Sequence, residues 1–354
     1  MRTRIVSYAT ALAAVAAVLS ACGSSQASSS TVPSSPVSTA GSQHVAANSY
    51  HVTSTWASVG PTPHFPGADP QLHKLFVSNL AAGTVTVIDT KTGKVSGTIT
   101  LGGTVHTVMV DTETQRVYVT DIARGYLDVI NANNDSVIKE IPVGAHLHGL
   151  AVSNRLHEAF VTDIAQNKLY AVDTTTNAVV NPGGLPVGAN PWGVAVNAAT
   201  RTAYVANTGI TPTMTTNPAG DTVSVVDLST MTVSKTVTVG PHPWNVAVDD
   251  QTGFVYVGVA GSGKVAVIHD NVVVKDIVVG SSPHGVALDQ QAGILFVNNS
   301  VSNNVSIIDT GTGTVATTVT VGPQPQGVAV DTSGTAYVVN QKSQTISVLQ
   351  PGTG

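Results

Sequence analysis

Residues 321–331 read Val-Gly-Pro-Gln-Pro-Gln-Gly-Val-Ala-Val-Asp, and residues 187–197 read Val-Gly-Ala-Asn-Pro-Trp-Gly-Val-Ala-Val-Asn. Both stretches are copies of one marker, a Val-Gly or Leu-Gly step that leads into a Gly-Val-Ala-Val segment in its clearest copies. The marker glycines are Gly60, Gly102, Gly144, Gly188, Gly240, Gly280 and Gly322. They are separated by 42, 42, 44, 52, 40 and 42 residues. A period of this length indicates a fold built from one repeated unit.

Each repeat contains four segments that are rich in β-branched residues and separated by turn residues. In the fourth repeat we predict strands at Gly193–Val196, Thr202–Asn207, Thr222–Asp227 and Thr232–Val239. Alternating apolar runs between turn signals are typical of short strands. Four-stranded units of about 40–45 residues are typical of propeller blades. The sequence therefore predicts an all-β fold, a seven-bladed β-propeller of four-stranded blades.

The two ends of the repeat region predict how the ring closes. The seventh repeat stops after its third strand, which we place at Thr345–Leu349, and no fourth strand follows. The segment Tyr50–Val59, before the first marker, aligns with the fourth strands of other repeats. We therefore expect an N-terminal strand to complete the last blade, which would remove two exposed sheet edges.

Five second strands resemble the Tyr-Val-Thr-Asn (YVTN) repeat, at residues 76–79, 118–121, 160–163, 204–207 and 337–340. The chain is similar to YVTN-repeat propellers, a WD40-like architecture found in surface-layer-type and YncE-like proteins. The resemblance covers about residues 50–350 and implies the fold more than a function. The fifth repeat departs from the motif, because residues 256–259 read Tyr-Val-Gly-Val.

The start of the chain predicts its compartment. Arg2 and Arg4 precede a short apolar stretch that ends in Leu-Ser-Ala at residues 19–21, before Cys22. This stretch is shorter than the roughly 20 apolar residues of a membrane span, and it indicates a signal peptide. Its end resembles the bacterial lipobox, which implies cleavage before Cys22 and lipidation of that residue. The alternative is an ordinary secretory signal in which the only cysteine is incidental.

These patterns predict three regions. We expect a lipoprotein signal peptide at residues 1–21, a lipid-anchored Ser-rich flexible linker at 22–49, and the propeller at 50–354. The linker has too little large apolar surface to offset chain entropy. We therefore expect an exported, membrane-anchored lipoprotein that faces the periplasm or the cell exterior.

The charge balance and the motif content exclude several classes of function. Without Arg2 and Arg4 the chain has 13 Lys and Arg against 20 Asp and Glu, a formal charge of −7. A nucleic-acid binder needs a basic face, so this balance argues against nucleic acid as a partner. There is no Gly-x-Ser-x-Gly or His-Glu-x-x-His motif, and Glu occurs only at positions 113, 140 and 158. We expect a monomer that contains no disulfide.

One position of the repeat carries an unusual set of side chains. Four residues after the marker glycines the sequence has His64, His106, His148, Trp192, Trp244, His284 and Gln326. In related propellers this position lies at one mouth of the central channel, so these residues are our candidate ligand-binding face. Two further histidines, His146 and His242, lie two residues earlier in their repeats.

A second set lies at the ends of the second strands, on the same predicted face. It comprises Asn79, Asp121, Asp163, Asn207, Val259, Asn299 and Asn340. Imidazole and carboxylate together suit Zn, Cu, Fe or Ni. One hypothesis is therefore a divalent transition metal as cofactor, held by His64, His106, His148 and His284 with Asp121 or Asp163. The alternative is structural, in which His and Trp fill the channel and Asn and Asp close turns by bonding their own backbone.

Residues 210–219 form an insertion in the fourth repeat, on the same predicted face. A long loop on a rigid scaffold is a binding-loop candidate. The alternative is an insertion that the surface merely tolerates.

Three functions remain open from the sequence. The first is a cell-envelope scaffold, more a binding protein than an enzyme, which presents the His/Trp-lined face to a protein, peptide or glycan. The second is a metal-dependent propeller enzyme, either with an oxidoreductase-type metal site or similar to streptogramin lyases. Residues 283–287 look like the lyase repeat, but those enzymes pair histidine with glutamate, and no Glu lies near His284. The third is YncE-like nucleic-acid binding.

Overall fold

The computed structural model describes residues 46–211, 216–217 and 219–352. The predicted signal peptide, Cys22 and nearly all of the predicted linker lie outside these residues. Within the described part, no helix is long and apolar enough to cross a membrane. The described chain is almost entirely β-structure, with two short 3₁₀ helices at Ala47–Ser49 and Ala260–Ser262.

The strands form seven antiparallel sheets, which confirms the predicted propeller. The inner strands of blades 1 to 7 are Pro63–Asp69, Val105–Asp111, Leu147–Ser153, Pro191–Asn197, Pro243–Val248, Pro283–Asp289 and Pro325–Val330. The second strands are Lys74–Asn79, Arg116–Asp121, Glu158–Asp163, Thr202–Asn207, Val255–Val259, Ile294–Asn299 and Ala336–Asn340. The third strands are Thr84–Asp89, Tyr126–Asn131, Lys168–Asp173, Thr222–Asp227, Lys264–His269, Asn304–Asp309 and Thr345–Pro351.

The fourth, outer strands complete the blades. Six blades take them from their own repeat, at Lys94–Thr100, Ser136–Pro142, Ala178–Val179 with Leu185–Pro186, Thr232–Thr238, Val272–Val278 and Thr314–Thr320. Blade 7 takes Tyr50–Trp56 from the other end of the chain. Because each blade is a simple meander, its inner strand begins at the same end of the sheet at which its second strand stops.

The closing strand lies where the sequence predicts it. Tyr50 pairs with Pro351 and Trp56 pairs with Ile346 in an antiparallel ladder. The third strand of blade 7 therefore extends two residues beyond its predicted end, because the N-terminal strand supplies partners for the added residues. The Tyr50 hydroxyl donates to the carbonyl of Gly334 at 3.0 Å, and its ring meets Phe296 of blade 6 edge-on at 5.1 Å.

Blade 3 differs from the regular pattern because its outer strand is broken. Residues 180–184 read Val-Asn-Pro-Gly-Gly and separate two short segments. Pro182 has no N–H to give to a ladder, so the strand cannot continue through it. The Asn181 side chain replaces the missing backbone bonds, since it accepts from the amide of Ala171 at 2.7 Å and donates to the carbonyl of Leu169 at 3.2 Å.

The core lies between neighbouring blades. In all blades but blade 4, whose Tyr204 is half-buried, the middle of the second and third strands is buried on both faces, which explains their nearly continuous Val, Ile and aromatic content. Between blades 1 and 2, for example, Phe76 packs with Val108 and Val117. The outer strands are mostly exposed and more polar. This packing holds the inner strands rigidly around the channel.

Candidate functional site

The structure brings the seven residues of the candidate face together at one mouth of the channel. Each is the second residue of its inner strand. Four are histidines, and all seven except Trp244 are buried, with exposed fractions from 2% for His106 to 7% for His64 and Trp192. We call these seven residues the aromatic ring, because six of them have aromatic side chains.

The side chains of the aromatic ring pack against one another in sequence. The ring centroids of His64 and His106 are 4.4 Å apart, and the same distance separates His106 from His148. The series continues from His148 to Trp192 at 4.0 Å and from Trp192 to Trp244 at 4.3 Å. Trp244 lies 4.7 Å from His284, and His284 lies 5.6 Å from His64. The mouth is therefore covered by a continuous layer of side chains.

Phe65, which sequence reasoning missed, supports this layer. Its ring lies 4.9 Å from that of His64, 5.4 Å from His106 and 6.0 Å from His284. The other repeats have small or polar residues at this position, namely Thr107, Gly149, Gly193, Asn245, Gly285 and Gly327. The only sign of this supporting role in the sequence was that Phe65 is large, whereas the other six repeats have small or polar residues at this position.

The central channel behind the aromatic ring is a cavity of about 400 Å³. Its wall consists mainly of the Val-Ala-Val segments of the inner strands, with Phe65, Thr107 and Asn245 at the ring end. None of the seven ring residues lines it. The aromatic ring therefore separates the channel from the surface at this mouth.

Hydroxyl groups of the second strands fix the backbone of the aromatic ring. Thr162 Oγ1 accepts from the amide of Gly149 in its own blade at 2.8 Å and donates to the carbonyl of Trp192 in the next blade at 2.6 Å. Thr120 makes the equivalent pair of bonds, at 3.0 and 2.9 Å, and Ser78 does so at 3.0 and 2.5 Å. These residues occupy the third position of the Tyr-Val-Thr-Asn motif, so the motif itself is the sequence signal for these bonds.

Thr162→Val should therefore weaken the propeller without changing its shape. The substitution keeps the volume but leaves the Gly149 amide and the Trp192 carbonyl buried without partners, at about 1–3 kcal/mol each. We expect the free energy of unfolding in urea to fall by about 2–4 kcal/mol. The exposed control Thr100→Val should change it by less than about 0.5 kcal/mol, and equal losses for both variants would contradict this account.

The second predicted set lies at the same end of the blades, and its members divide into two types. Asp121 and Asp163 close turns, as predicted, since Asp163 Oδ1 accepts from the amides of Ala165 and Gln166 at 3.0 Å each. The second oxygen of Asp163 accepts from the amide of Ala145 at 2.6 Å. The oxygens of Asp121 accept from backbone amides and from Arg124. None of these hydrogen bonds reaches an imidazole of the aromatic ring.

The asparagines do not bond their own turn through their side chains, which corrects the prediction. Asn79 Nδ2 donates to the hydroxyls of Thr84 and Thr86 on the third strand, at 3.1 and 2.8 Å. Asn207, Asn299 and Asn340 each make the equivalent pair of bonds in their blades. An amide can donate to these groups, whereas a carboxylate cannot.

These side chains also explain most of the marker glycines. A Cβ on Gly60 would lie 2.3 Å from Asn79 Oδ1, and a Cβ on Gly144 would lie 2.4 Å from Asp163 Oδ2. Blades 2 and 5 are the exceptions. Nothing lies within 4 Å of such a Cβ on Gly102, where the next residue, Gly103, meets Asp121 instead, and the nearest atom to one on Gly240 is Val259 Cγ1 at 3.4 Å. The marker is thus the packing site for the end of the second strand.

Burial keeps the histidines of the aromatic ring uncharged. Loss of hydration lowers the pKa of His284 to about 4. The same effect, reinforced by neighbouring imidazoles, holds the pKa values of His64, His106 and His148 well below the ordinary value. No carboxylate compensates in this layer, since the hydrogen bonds of Asp121 and Asp163 go elsewhere. The layer is therefore neutral at physiological pH.

The arrangement of the aromatic ring does not favour the metal hypothesis. In residues 46–211, 216–217 and 219–352, no group of three or more His, Cys, Asp or Glu is placed to hold a metal ion. The imidazoles meet through tilted ring contacts, with interplanar angles of 41° and 54° between successive histidines. Metal ligation would need ring nitrogens to converge on one point at about 2.0–2.2 Å.

We therefore expect purified protein to carry no stoichiometric transition metal at neutral pH. Elemental analysis of the protein, before and after incubation with Zn²⁺ or Cu²⁺, measures this. Stoichiometric metal that disappears in a folded His106→Ala/His148→Ala variant would contradict the expectation and establish the site.

Two half-buried histidines, His146 and His242, and the start of the insertion in blade 4 lie next to the aromatic ring. His146 stacks on His148 with ring centroids 5.3 Å apart. His242 Nδ1 lies 3.1 Å from the carbonyl of Thr208, where the insertion of blade 4 begins. Ile210 and Thr216 of the insertion form a β-bridge. Its residues 212–215 and 218 lie outside the described part of the chain.

Comparisons with known proteins support the fold and leave the family open. No protein-family model matches the chain, and no curated protein matches it. Solved structures do resemble the chain, and one of them, Kuenenia stuttgartiensis hydrazine synthase, superposes with a TM-score of 0.67 at 18% sequence identity. The match covers 84% of this chain and 97% of that chain. At this identity the likeness shows a shared propeller fold.

Proposed function

We propose that the protein is a non-catalytic binding scaffold of the cell envelope. The observation that carries the proposal is the sealed mouth, because the aromatic ring and Phe65 leave no opening from this face into the channel. The closed layer gives a substrate no access to the channel from this face, whereas its outer surface is rigid and can bind a partner. The partner class is a protein, a peptide or a glycan.

The surface offered to this partner consists of the outer edge of the aromatic ring and the groups around it. Trp244 is half-buried, as are His146 and His242, and the carbonyl of Thr208, where the insertion of blade 4 begins, lies against His242. Indole and imidazole combine apolar area with a polar edge, a combination enriched where partners bind. Such a face supports recognition without requiring a reacting group.

The location and the family of the protein are part of the same proposal. Lipidation of Cys22 and membership of the YVTN-repeat propellers rest on the sequence patterns. Cys22→Ser should move the protein from the membrane fraction of the source cells to the soluble fraction. Unchanged fractionation would rule out the lipid anchor while leaving the binding face to its own test.

The binding face is tested by site-specific photocrosslinking of the full chain in its source cells. A photoreactive amino acid at position 146 or 242 should give one dominant adduct, identified by mass spectrometry. The matched control is position 92, since Thr92 is exposed in a turn at the opposite end of blade 1. Adducts equal to the control, or none at either face position, would overturn the proposal.

No observation favours the alternative functions. Glu113 and Glu158 lie at the opposite ends of their blades, and Glu140 lies on an outer strand paired with Arg124. None of the three can form the histidine–glutamate pair of a lyase-like site within the aromatic ring. The formal charge of −7 for the chain without Arg2 and Arg4 counts against nucleic acid.

A further inference from the structure

Blade 5 is shorter than its neighbours at one turn. Its third and outer strands are joined by two residues, Asp270 and Asn271, between the paired residues His269 and Val272. Both have positive φ, 50° and 61°, as a tight two-residue hairpin requires. The corresponding turns of blades 1, 2, 3, 4 and 6 have four residues. The 40-residue spacing after Gly240 reflects this loss.

In two of the other blades the longer turn meets a cationic side chain from the preceding blade. Lys74, at the start of the second strand of blade 1, donates to the carbonyl of Ala132 and to Asp135 at 2.8 Å each. Arg116 of blade 2 donates to the carbonyl of Thr174 in the turn of blade 3. Blade 4 has Thr202 at this position, and its hydroxyl bonds within its own turn to Thr200. In blade 4, therefore, the short side chain of Thr202 faces the two-residue turn of blade 5.

The result is a cleft of about 490 Å³ between blades 4 and 5, a volume within the range of small-molecule sites. It lies at the end of the blades opposite the aromatic ring. Its wall is mostly polar and consists of Asn197, Thr200, Thr202, Tyr204, Val225, Asp227, Ser229, Ser234, Thr252, Gly253, His269, Asp270 and Asn271.

Tyr204 supplies an independent sign that the cleft is unusual. The aromatic residue at this position is buried in every other blade, with exposed fractions of 5% or less for Phe76, Tyr118, Phe160, Tyr256, Phe296 and Tyr337. Tyr204 alone is half-buried, and it lines the cleft. The missing turn residues of blade 5 thus leave part of an aromatic side chain uncovered beside a row of hydroxyl and amide groups.

Both walls of the cleft are held by contacts of their own. On the blade 5 side the His269 ring packs on Phe254 with centroids 4.4 Å apart, and its Nδ1 lies 3.3 Å from Asp270 Oδ2. On the blade 4 side Asp227 Oδ1 accepts from the amides of Ser229 and Thr230, at 2.8 and 3.3 Å. The two walls therefore present hydrogen-bonding groups at set positions.

We propose that this cleft binds a neutral or amino-bearing saccharide, with one sugar ring lying on the exposed part of Tyr204. A sugar has an apolar ring face that suits an aromatic side chain and hydroxyls that suit Thr, Ser, Asn and carboxylate groups. Apolar wall is limited to Tyr204, Val225 and Gly253, which leaves no pocket for apolar peptide side chains. The wall contains Asp227 and Asp270 but no Lys or Arg, so its negative charge repels acidic sugars.

The test uses the full chain and four defined trisaccharides, titrated by calorimetry. These are chitotriose, cellotriose, the deacetylated chitosan trimer and trigalacturonic acid. At least one of the first three should bind, and trigalacturonic acid should not. Binding of none of the three, or tightest binding of the acidic trisaccharide, overturns the proposal.

Two variants locate the binding in the cleft. Thr202→Lys places in the gap the kind of side chain that Lys74 supplies in blade 1, and it should weaken binding at least tenfold without lowering the melting temperature. The matched control is Thr314→Lys, because Thr314 is an exposed strand residue bonded to a threonine two positions earlier, as Thr202 is. The control should bind as the parent does, and unchanged binding by Thr202→Lys overturns the proposal.

Tyr204→Leu provides a second route should the lysine variant fail to fold. It keeps apolar packing but removes the aromatic face, so the affinity should fall about three- to tenfold. Undiminished affinity in a folded Tyr204→Leu protein also overturns the proposal. The outcome is independent of crosslinking at the aromatic ring, since the two sites lie at opposite ends of the blades.

Discussion

Deleting residues 50–58 should unfold the propeller at physiological temperature. The deletion removes the outer strand of blade 7, with the buried Tyr50, the half-buried Val52 and Trp56, and the backbone ladder to the third strand. A fully buried side chain of this kind contributes about 1.5–3 kcal/mol and a half-buried one less, while each backbone hydrogen bond adds about 0.5–1.5 kcal/mol. The sum, about 5 kcal/mol or more, is comparable with the entire stability of a typical protein, about 5–15 kcal/mol. The deletion also exposes the edge of the third strand of blade 7, which invites aggregation.

The measurement is thermal unfolding followed by circular dichroism, with a deletion of residues 23–45 as the matched control. The control removes more residues but none of the closing strand, so it should melt as the parent does. A synthetic peptide of residues 46–59 should restore cooperative melting to the truncated chain. A truncated chain that melts cooperatively at the parent temperature without peptide would contradict the closure described here.

Acid should destabilise the protein between about pH 6.5 and pH 4, and the aromatic ring should account for most of the loss. In the unfolded chain each histidine has its ordinary pKa of about 6.5, whereas in the folded protein the pKa of His284 is about 4. As the pH falls through this window the unfolded state binds protons that the folded state excludes. Stability is therefore fully present above the unfolded pKa and lost as the pH falls toward the folded one.

The expected size follows from the pKa difference. At about 1.36 kcal/mol per pKa unit, His284 alone contributes about 3 kcal/mol to the loss across the window. The pKa values of His64, His106 and His148 are also well below the ordinary value and add to it. Asp128 acts in the opposite direction, because burial raises the pKa of its carboxyl to about 7 and makes the folded state favour the bound proton.

Glutamine is the matched replacement, because Gln326 already occupies one place in the aromatic ring. In an Asp128→Asn background, His284→Gln should reduce the stability lost between pH 6.5 and pH 4 by about 3 kcal/mol. Guanidinium unfolding at a series of pH values gives this number. The exposed control His73→Gln should leave the loss unchanged, and an equal loss with and without His284 would refute the account.

The repeats allow the fold to be predicted from the sequence. Seven markers at spacings of 40 to 52 residues define seven repeated units, and the strand-like segment Tyr50–Val59 before the first marker indicates how the ring closes. Each of these patterns depends on many residues and not on a single one. A single departure, such as the Asn-Pro-Gly break in blade 3, does not obscure them.

The detail of the candidate site depends on single residues, which repeats do not reveal. The sequence predicted that the seven side chains would share one mouth, but not that Phe65 would support them, because no other blade has an equivalent. Its structural alternative gave Asn and Asp at the second-strand ends the same role, although only Asp closes the turn with its side chain. The cleft was not predicted either, since it requires both a two-residue loss in blade 5 and a short side chain in blade 4.

The hydrogen bonds of these asparagines affect how a propeller can gain or lose blades. Asn79 bonds Thr84 and Thr86, and Asn299 bonds Asn304 and Ser306, so both the donor and its acceptors lie within one blade. A duplicated copy of blade 1 or blade 6 would carry a complete set of these contacts to its new place. A copy of blade 2 would carry the carboxylate of Asp121 together with Arg124 in the same way. Recombination between repeats is therefore tolerated best when its boundaries fall at the marker glycines, outside these bonded segments.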